Sequence, residues 1–401
     1  MPSHKNPLTT TNKPDESKRL LSLDVFRGLT VALMILVNSP GNFSPYPIIS
    51  HAIWHGCTLA DLVFPFFLFI VGMSLVFPLS KAKQQGIALR QVFPAIAKRS
   101  LIIFTIGLCL NAYPHHFEFA HLRILGVLQR IALCYFLGAL LYYTCSRNTL
   151  LGLSILGLIA YWLVMTYLPV PNYGAGQLTP EGNFATYFDH LLLSTNHLYT
   201  PTFDPEGLFS TLPALITTVL GSVTILTLLP YRRTPFLWII FILIGTIMAS
   251  IGWVWSYWFP INKALWTSSY VLWTAGLALI VYGVCYACLE TKQWRRAFFP
   301  FIILGTNAML AYILHVFFLK TQAIILLPSS HGSTQNIRFY LTEHWFGWAS
   351  KPNAALLYAV SYLLLWLGVF LLDWSRLTKR LGIFLLQNCD KRKLRCSSDD
   401  N

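Results

Sequence analysis

The sequence predicts an all-α polytopic membrane protein, about ten transmembrane helices in one bundle with both termini cytoplasmic, and three observations carry that prediction. Of 401 residues, 55% are hydrophobic and 11% charged, with a mean hydropathy of +0.56, outside the range of soluble globular chains. Ten windows suit a helix that crosses ~30 Å of hydrocarbon in about 20 residues: 21–39, 59–80, 99–112, 122–144, 149–168, 208–229, 235–256, 266–288, 298–319 and 354–373. Lys and Arg collect in alternate connections, at Lys81 to Lys98, Arg147, Arg232 and Arg233, Lys292 to Arg296 and both termini. The positive-inside bias puts these on the cytoplasmic side. The net charge of +14 therefore reports orientation, and no nucleic-acid partner is needed to explain it. The basic run from Arg376 to Arg395 could also touch anionic lipid.

Taken in order, residues 1–20 form a polar cytoplasmic segment with Lys5, Lys13, Lys18 and Arg19. The next apolar segment is longer than a signal-peptide core and carries Asp24 and Arg27, so it is expected to stay as the first span. Those two lie one turn apart and are expected to pair. Residues 21–373 form the membrane domain and 374–401 a basic tail. Asn38 ends the first span on the outer side. The stretch His51-Ala-Ile-Trp-His-Gly-Cys-Thr-Leu-Ala-Asp61 then leads into the second span. An ionisable group at that depth is costly and marks a functional site by default, and the short loop lets the amide of Asn38, the imidazole of His51 and the carboxylate of Asp61 converge. Structural uses stay open: Asn38 could close a helix end and Asp61 could pair with an arginine such as Arg130.

Arg123 and Arg130, in Arg-Ile-Leu-Gly-Val-Leu-Gln-Arg, are seven apart, which puts both on one face of a helical fourth span. Guanidinium forks suit phosphate or carboxylate, and equally suit Asp24, Asp61 or backbone carbonyls. The connection 169–207 has no Lys or Arg. It is too rich in aromatic and apolar residues for a linker, and loops of that length tend to be functional or disordered.

His51, His55, His115, His116, His121, His190, His197, His331 and His344 fall in outward connections and His315 in the outer half of the ninth span, whereas only His4 is cytoplasmic. Imidazole is the usual acid or base near neutral pH, so chemistry is expected on the outer face. The eight cysteines, Cys285-x-x-Cys288 included, argue for neither a disulfide framework nor a metal site.

Several blocks resemble the heparan-α-glucosaminide N-acetyltransferase family of transmembrane acyltransferases and its bacterial relatives. They are Leu23-Asp-Val-Phe-Arg-Gly28, Val37-Asn38, His51-Ala-x-Trp-x-Gly56, Ala60-Asp-Leu-Val-Phe-Pro65 and Gly126-Val-Leu-Gln-Arg130. Further on come Asp189-His-Leu-Leu-Leu193, His197-Leu-Tyr199, Asp204-Pro-Glu-Gly207, Pro260-Ile-Asn-Lys-x-Leu-Trp266-Thr-x-Ser-Tyr270 and Gly305-Thr-Asn307 followed by His315. Against the animal enzyme the chain is expected to lack the large lumenal N-terminal domain and to be a ten-span core of bacterial type. The loop between Asn38 and His51 is also slightly longer.

The resemblance implies transfer of an acetyl group from cytoplasmic acetyl-CoA, a co-substrate with no metal, to a glucosamine-type amino sugar across the membrane. The expected location is a cell's inner (plasma) membrane, the active-site face toward the periplasm or exterior, and the family precedent favours a homodimer. It also implies that His51 is catalytic and Asn38 its partner. An imidazole could serve as general base or as a transient acetyl carrier, while Asn38 donates to the oxyanion and Asp61 sets the imidazole tautomer. Charge on the nucleotide requires a positively lined path inside the bundle, for which Arg130, Arg27 and Arg123 are candidates. Acceptor binding is expected from Asp189, His197, Asp204 and Glu206 of the 169–207 loop and from Trp266, through charge pairing and stacking. The same Asp-Pro-Glu-Gly run could instead start a helix in a folded lid. A multi-span transporter of a small polar or sugar solute is the alternative; against it, no internal repeat is seen.

Overall fold

In the computed structural model, residues 20–372 are described apart from 43, 115–118, 233, 235 and 329–333. Most of the polar N-terminal segment, the basic tail, His115, His116, His331 and Arg233 lie outside the described residues. The long helices are α1 (Leu21–Asn38), α2 (Leu59–Gln84), α3 (Leu89–Ala112), α4 (Val127–Thr144), α5 (Arg147–Tyr167), α7 (Thr211–Leu228), α8 (Leu237–Trp255), α9 (Ser268–Tyr286) and α13 (Lys351–Leu372). Shorter ones are α6 (Phe184–Leu192), α10 (Phe299–Thr306), α11 (Ala308–Ile324) and α12 (Ile337–Phe346). Strands among the described residues are limited to an antiparallel pair, Leu326–Pro328 with Thr334–Asn336, in which Leu326 faces Asn336.

Nine of these helices are long and apolar enough to cross a membrane, and the bent pair α10 and α11 brings the number to ten if it counts as one span among the described residues. The chain is thus an all-α polytopic membrane protein. In the bundle α2 packs on α7, α8 on α9, α3 on α4 and α1 on α10, around buried Phe26, Phe69, Met73, Tyr270 and Tyr282. Rows of Leu, Ile and Val on α5, α8 and α13 stay exposed, as lipid-facing surfaces require once the backbone is satisfied within each helix.

Three spans differ from their sequence windows. The third starts ten residues early, at Leu89, and takes Arg90 and Lys98 into the helix; Arg99, the first residue of the window, lies over the Tyr135 ring at 4.8 Å, so its charge is covered by an aromatic face. The fourth begins only at Val127, after an extended Gly126, which leaves Arg123 outside it. The ninth is not one helix: it breaks at Asn307 and its halves meet at 82°. At the break the Asn307 side-chain amide donates to the Ile303 carbonyl at 3.0 Å, an acceptor it shares with its own backbone N–H at 3.2 Å. Small residues bring α10 against α1. A Cβ on Gly305 would overlap the Asp24 carbonyl and one on Gly28 the Phe301 carbonyl, the close backbone approach that glycine gives membrane helices.

Candidate active site

At one end of the bundle the segment before α2 folds back over that helix's first turn. Thr58 precedes the helix and Asp61 is its third residue, so the Asp61 carboxylate reaches back to the Thr58 N–H at 3.1 Å, the pattern of a capping box. The same oxygen accepts from the Ala52 N–H at 3.0 Å. The other oxygen lies 2.8 Å from Nδ1 of His51 and 3.3 Å from Nζ of Lys263. Asp61 is 1% exposed and satisfied on both oxygens. With Nδ1–H donating to the carboxylate, the lone pair sits on Nε2, on a ring whose side chain remains 52% exposed. Asn38, half-buried at the end of α1, has no hydrogen bond to its amide among the described residues.

The other wall is the α8–α9 connection. The Gly56 N–H donates to the Ile261 carbonyl at 2.8 Å, and Asn262 lies 3.4 Å from the His55 ring and accepts from the Leu265 N–H at 2.9 Å. Trp266 closes this turn with a φ of 50°, a left-handed conformation that costs a side-chain-bearing residue about 1–2 kcal/mol. Packing holds it there: Trp266 is fully buried, donates to the Thr217 hydroxyl at 3.1 Å and meets the Phe64 and Tyr270 rings edge-on. The Tyr270 hydroxyl donates to the Asp61 carbonyl at 2.6 Å. Burial lowers the His55 imidazole's affinity for a proton and pushes the Cys57 thiol up to about 12.

The 169–207 connection is a folded unit beside this site. Trp54, three residues past His51, donates to the Leu178 carbonyl at 2.7 Å and packs edge-on against Phe203 at 5.2 Å. Arg123 and Arg130 do not share a helix face, because Arg123 precedes α4. Arg123 grips Asp204 with two N–H groups, at 3.0 and 2.6 Å, and also binds Glu206. Burial works against that cation, but the two carboxylates outweigh it and hold the guanidinium above its usual range. Arg130 is buried over the Trp266 ring at 5.2 Å and donates to the Gly207 carbonyl at 2.9 Å and to Ser210; it does not pair with Asp61. The Asp189 carboxylate accepts the N–H groups of Leu208 and Phe209 at 2.8 and 3.1 Å. His197 lies 2.8 Å from the Leu122 carbonyl. Asp189, Asp204 and Glu206 are thus buried and bonded within the protein, while Tyr173 and Tyr199 project from this unit half exposed or more.

Within the bundle a cavity of about 250 Å³ is lined by Arg27, Ser74, Arg99, Tyr135 and Tyr312 and, on either side of the break, by Gly305, Thr306, Ala308 and Met309. Arg27 pairs with Asp24 at 3.3 Å, as expected, and also donates to the Gly305 carbonyl at 3.2 Å and to Ser74 at 2.6 Å. Arg27 lines this cavity; Arg123 and Arg130 do not. Two functional candidates escaped the sequence reading: Arg99, hidden at the edge of an apolar window, and Lys263, a single lysine in a short connection.

A bundle of membrane-crossing helices, an imidazole held by a buried carboxylate at one end and an arginine-lined cavity together define a polytopic membrane protein with one clustered polar site. The chain belongs to the heparan-α-glucosaminide N-acetyltransferase family: the family model for the catalytic region of heparan-alpha-glucosaminide N-acetyltransferase matches residues 19–252. Among curated relatives, the heparan-alpha-glucosaminide N-acetyltransferase of Mus musculus is 30% identical over 78% of this chain and 56% of its own length. That of Homo sapiens is 31% identical over 75% of this chain and 53% of its own length. The chain therefore spans about half the length of these relatives.

Proposed function

We propose that the protein is a transmembrane N-acetyltransferase that passes the acetyl group of cytoplasmic acetyl-CoA to the amine of a glucosamine-type sugar at the outer face of a cell's inner (plasma) membrane. The observation that carries this reading is the 2.8 Å contact between Nδ1 of His51 and buried Asp61; in the Nδ1–H tautomer that a carboxylate partner favours, Nε2 carries the basic lone pair. Nε2 takes a proton from the amine as nitrogen attacks the thioester carbonyl. A C–N bond forms, the C–S bond breaks, and the proton passes from His51 to the departing thiolate. Asn38 donates its free amide to the oxygen that gathers negative charge. Asp61 fixes the tautomer and steadies the transient imidazolium.

The inner cavity suits the pantetheine arm, with Arg27 and Arg99 compensating nucleotide charge that hydrocarbon cannot hold. Arg123 and Arg130 shape the acceptor side from beneath, together with Asp189, His197, Asp204, Glu206 and Trp266, and the exposed Tyr173 and Tyr199 rings offer faces to the sugar. Membranes carrying the protein are expected to consume labelled acetyl-CoA only when an amino sugar is supplied. His51→Ala is expected to lower that transfer by about 10²- to 10⁴-fold, the usual worth of a general base. Near-normal transfer by purified His51→Ala protein, or solute movement with no use of acetyl-CoA, would overturn the reading.

A further inference from the structure

A cation with no part in the transfer just described sits against the proposed base. Nζ of Lys263 lies 3.1 Å from Nδ1 of His51 and 3.3 Å from Oδ1 of Asp61. This is not a free surface lysine. Its side chain is 22% exposed, and its neighbours in the chain are fixed by the Asn262 bonds, the Gly56–Ile261 bond and the packed, left-handed Trp266.

The titratable groups around His51 are few. Asp61 faces it from α2 and Lys263 from the α8–α9 connection. On its own loop are His55, whose proton affinity burial lowers, and Cys57, which burial keeps uncharged. One carboxylate thus meets one ammonium. If Asp61 stood alone, its natural counter-ion would be the imidazolium, and a protonated ring has no lone pair with which to accept a proton. With Lys263 in place the carboxylate is already balanced, and an imidazolium formed during reaction finds a like charge within ~4 Å, where such charges interact appreciably even near a surface.

We propose that Lys263 is a positioning residue that balances Asp61, so that His51 rests uncharged, accepts the proton of the acceptor amine and then surrenders it to the departing thiolate. The inference rests on the reading of His51 as base. It assigns a role to a residue beyond the segment matched by the family model, which ends at 252.

The test is the pH dependence of kcat/KM in the full-length protein and in Lys263→Met and Lys263→Arg. Lys263→Met is expected to move the acid limb upward by about one pH unit, the scale on which a nearby charge acts, and to approach wild-type activity on the alkaline side. Lys263→Arg keeps the wild-type limb. Carbethoxylation of His51, followed by mass spectrometry across the same pH range, reads the same displacement without turnover, and Lys263→Gln serves if the Met variant is not recovered. Equal loss at every pH with the limb in place, or Lys263→Arg behaving as Lys263→Met, overturns the proposal. If His51→Ala keeps both activity and acid limb, the base assignment fails instead, while the carbethoxylation curves still report whether Lys263 sets the charge on the ring.

Discussion

Asp189 is the carboxylate whose ionisation the fold resists most clearly outside the membrane spans. Burial, only partly offset by the Phe209 and Leu208 N–H groups and by Arg130, pushes it up to about 6. The native state therefore binds more protons than the unfolded chain between about pH 4 and 6, and stability falls as pH rises through that window. Asp189→Asn, which keeps an oxygen for the two N–H groups, is expected to melt above wild type at pH 7.5 and alongside it at pH 4, as read by intrinsic fluorescence in detergent; a pH-independent difference would contradict this. His51 and Asp61 were legible in the sequence because ionisable groups flanking an apolar run are costly unless used. Lys263 stood in one of the family blocks but carried no role there, since its meaning lies in a contact with a residue 202 positions away. The acidity of Asp204 and Glu206 was also visible, but composition could not tell that Arg123 meets them from behind.

Among the elements, the pair α10 and α11 shows where pattern reading ends. Hydropathy sums over a window and takes 298–319 as one apolar run, yet the helix turns by 82° at Asn307, where the side-chain amide bonds back to the Ile303 carbonyl. The helices themselves were legible, since each apolar window maps onto a span. The late start of α4 was not, because Arg-Ile-Leu-Gly satisfies helical spacing whether or not it is helical. The bend is braced where Gly305 rests on the Asp24 carbonyl and where Arg27 donates to Gly305. Gly305→Ala must push α10 from α1, an overpacking that typically costs about 1–3 kcal/mol. It is expected to lower thermal stability in detergent and, by shifting Arg27, to weaken acetyl-CoA binding. Unchanged melting would show that the contact yields easily.

For the whole molecule, the alternation of Lys and Arg between connections predicts that the His51 end faces outward and the Gln85 end inward. Impermeant maleimide added to intact cells should label a cysteine placed at Tyr199, which is 60% exposed, above the parent protein's background, and a cysteine at Gln85 only after permeabilisation; the reverse pattern would invert the orientation. The arrangement of the His51 site also bears on how the protein is made. His51 and Asp61 are supplied by the second membrane crossing and the loop before it, whereas Lys263 and Trp266 arrive some two hundred residues later in the loop that joins α8 to α9, and Tyr270 with the first turn of α9. During synthesis the early helices enter the membrane carrying an unbalanced carboxylate and an unsupported ring. The site is completed only when that later loop folds back onto α2, so its assembly waits until α1 to α8 have been made, with α9 to α13 still to follow.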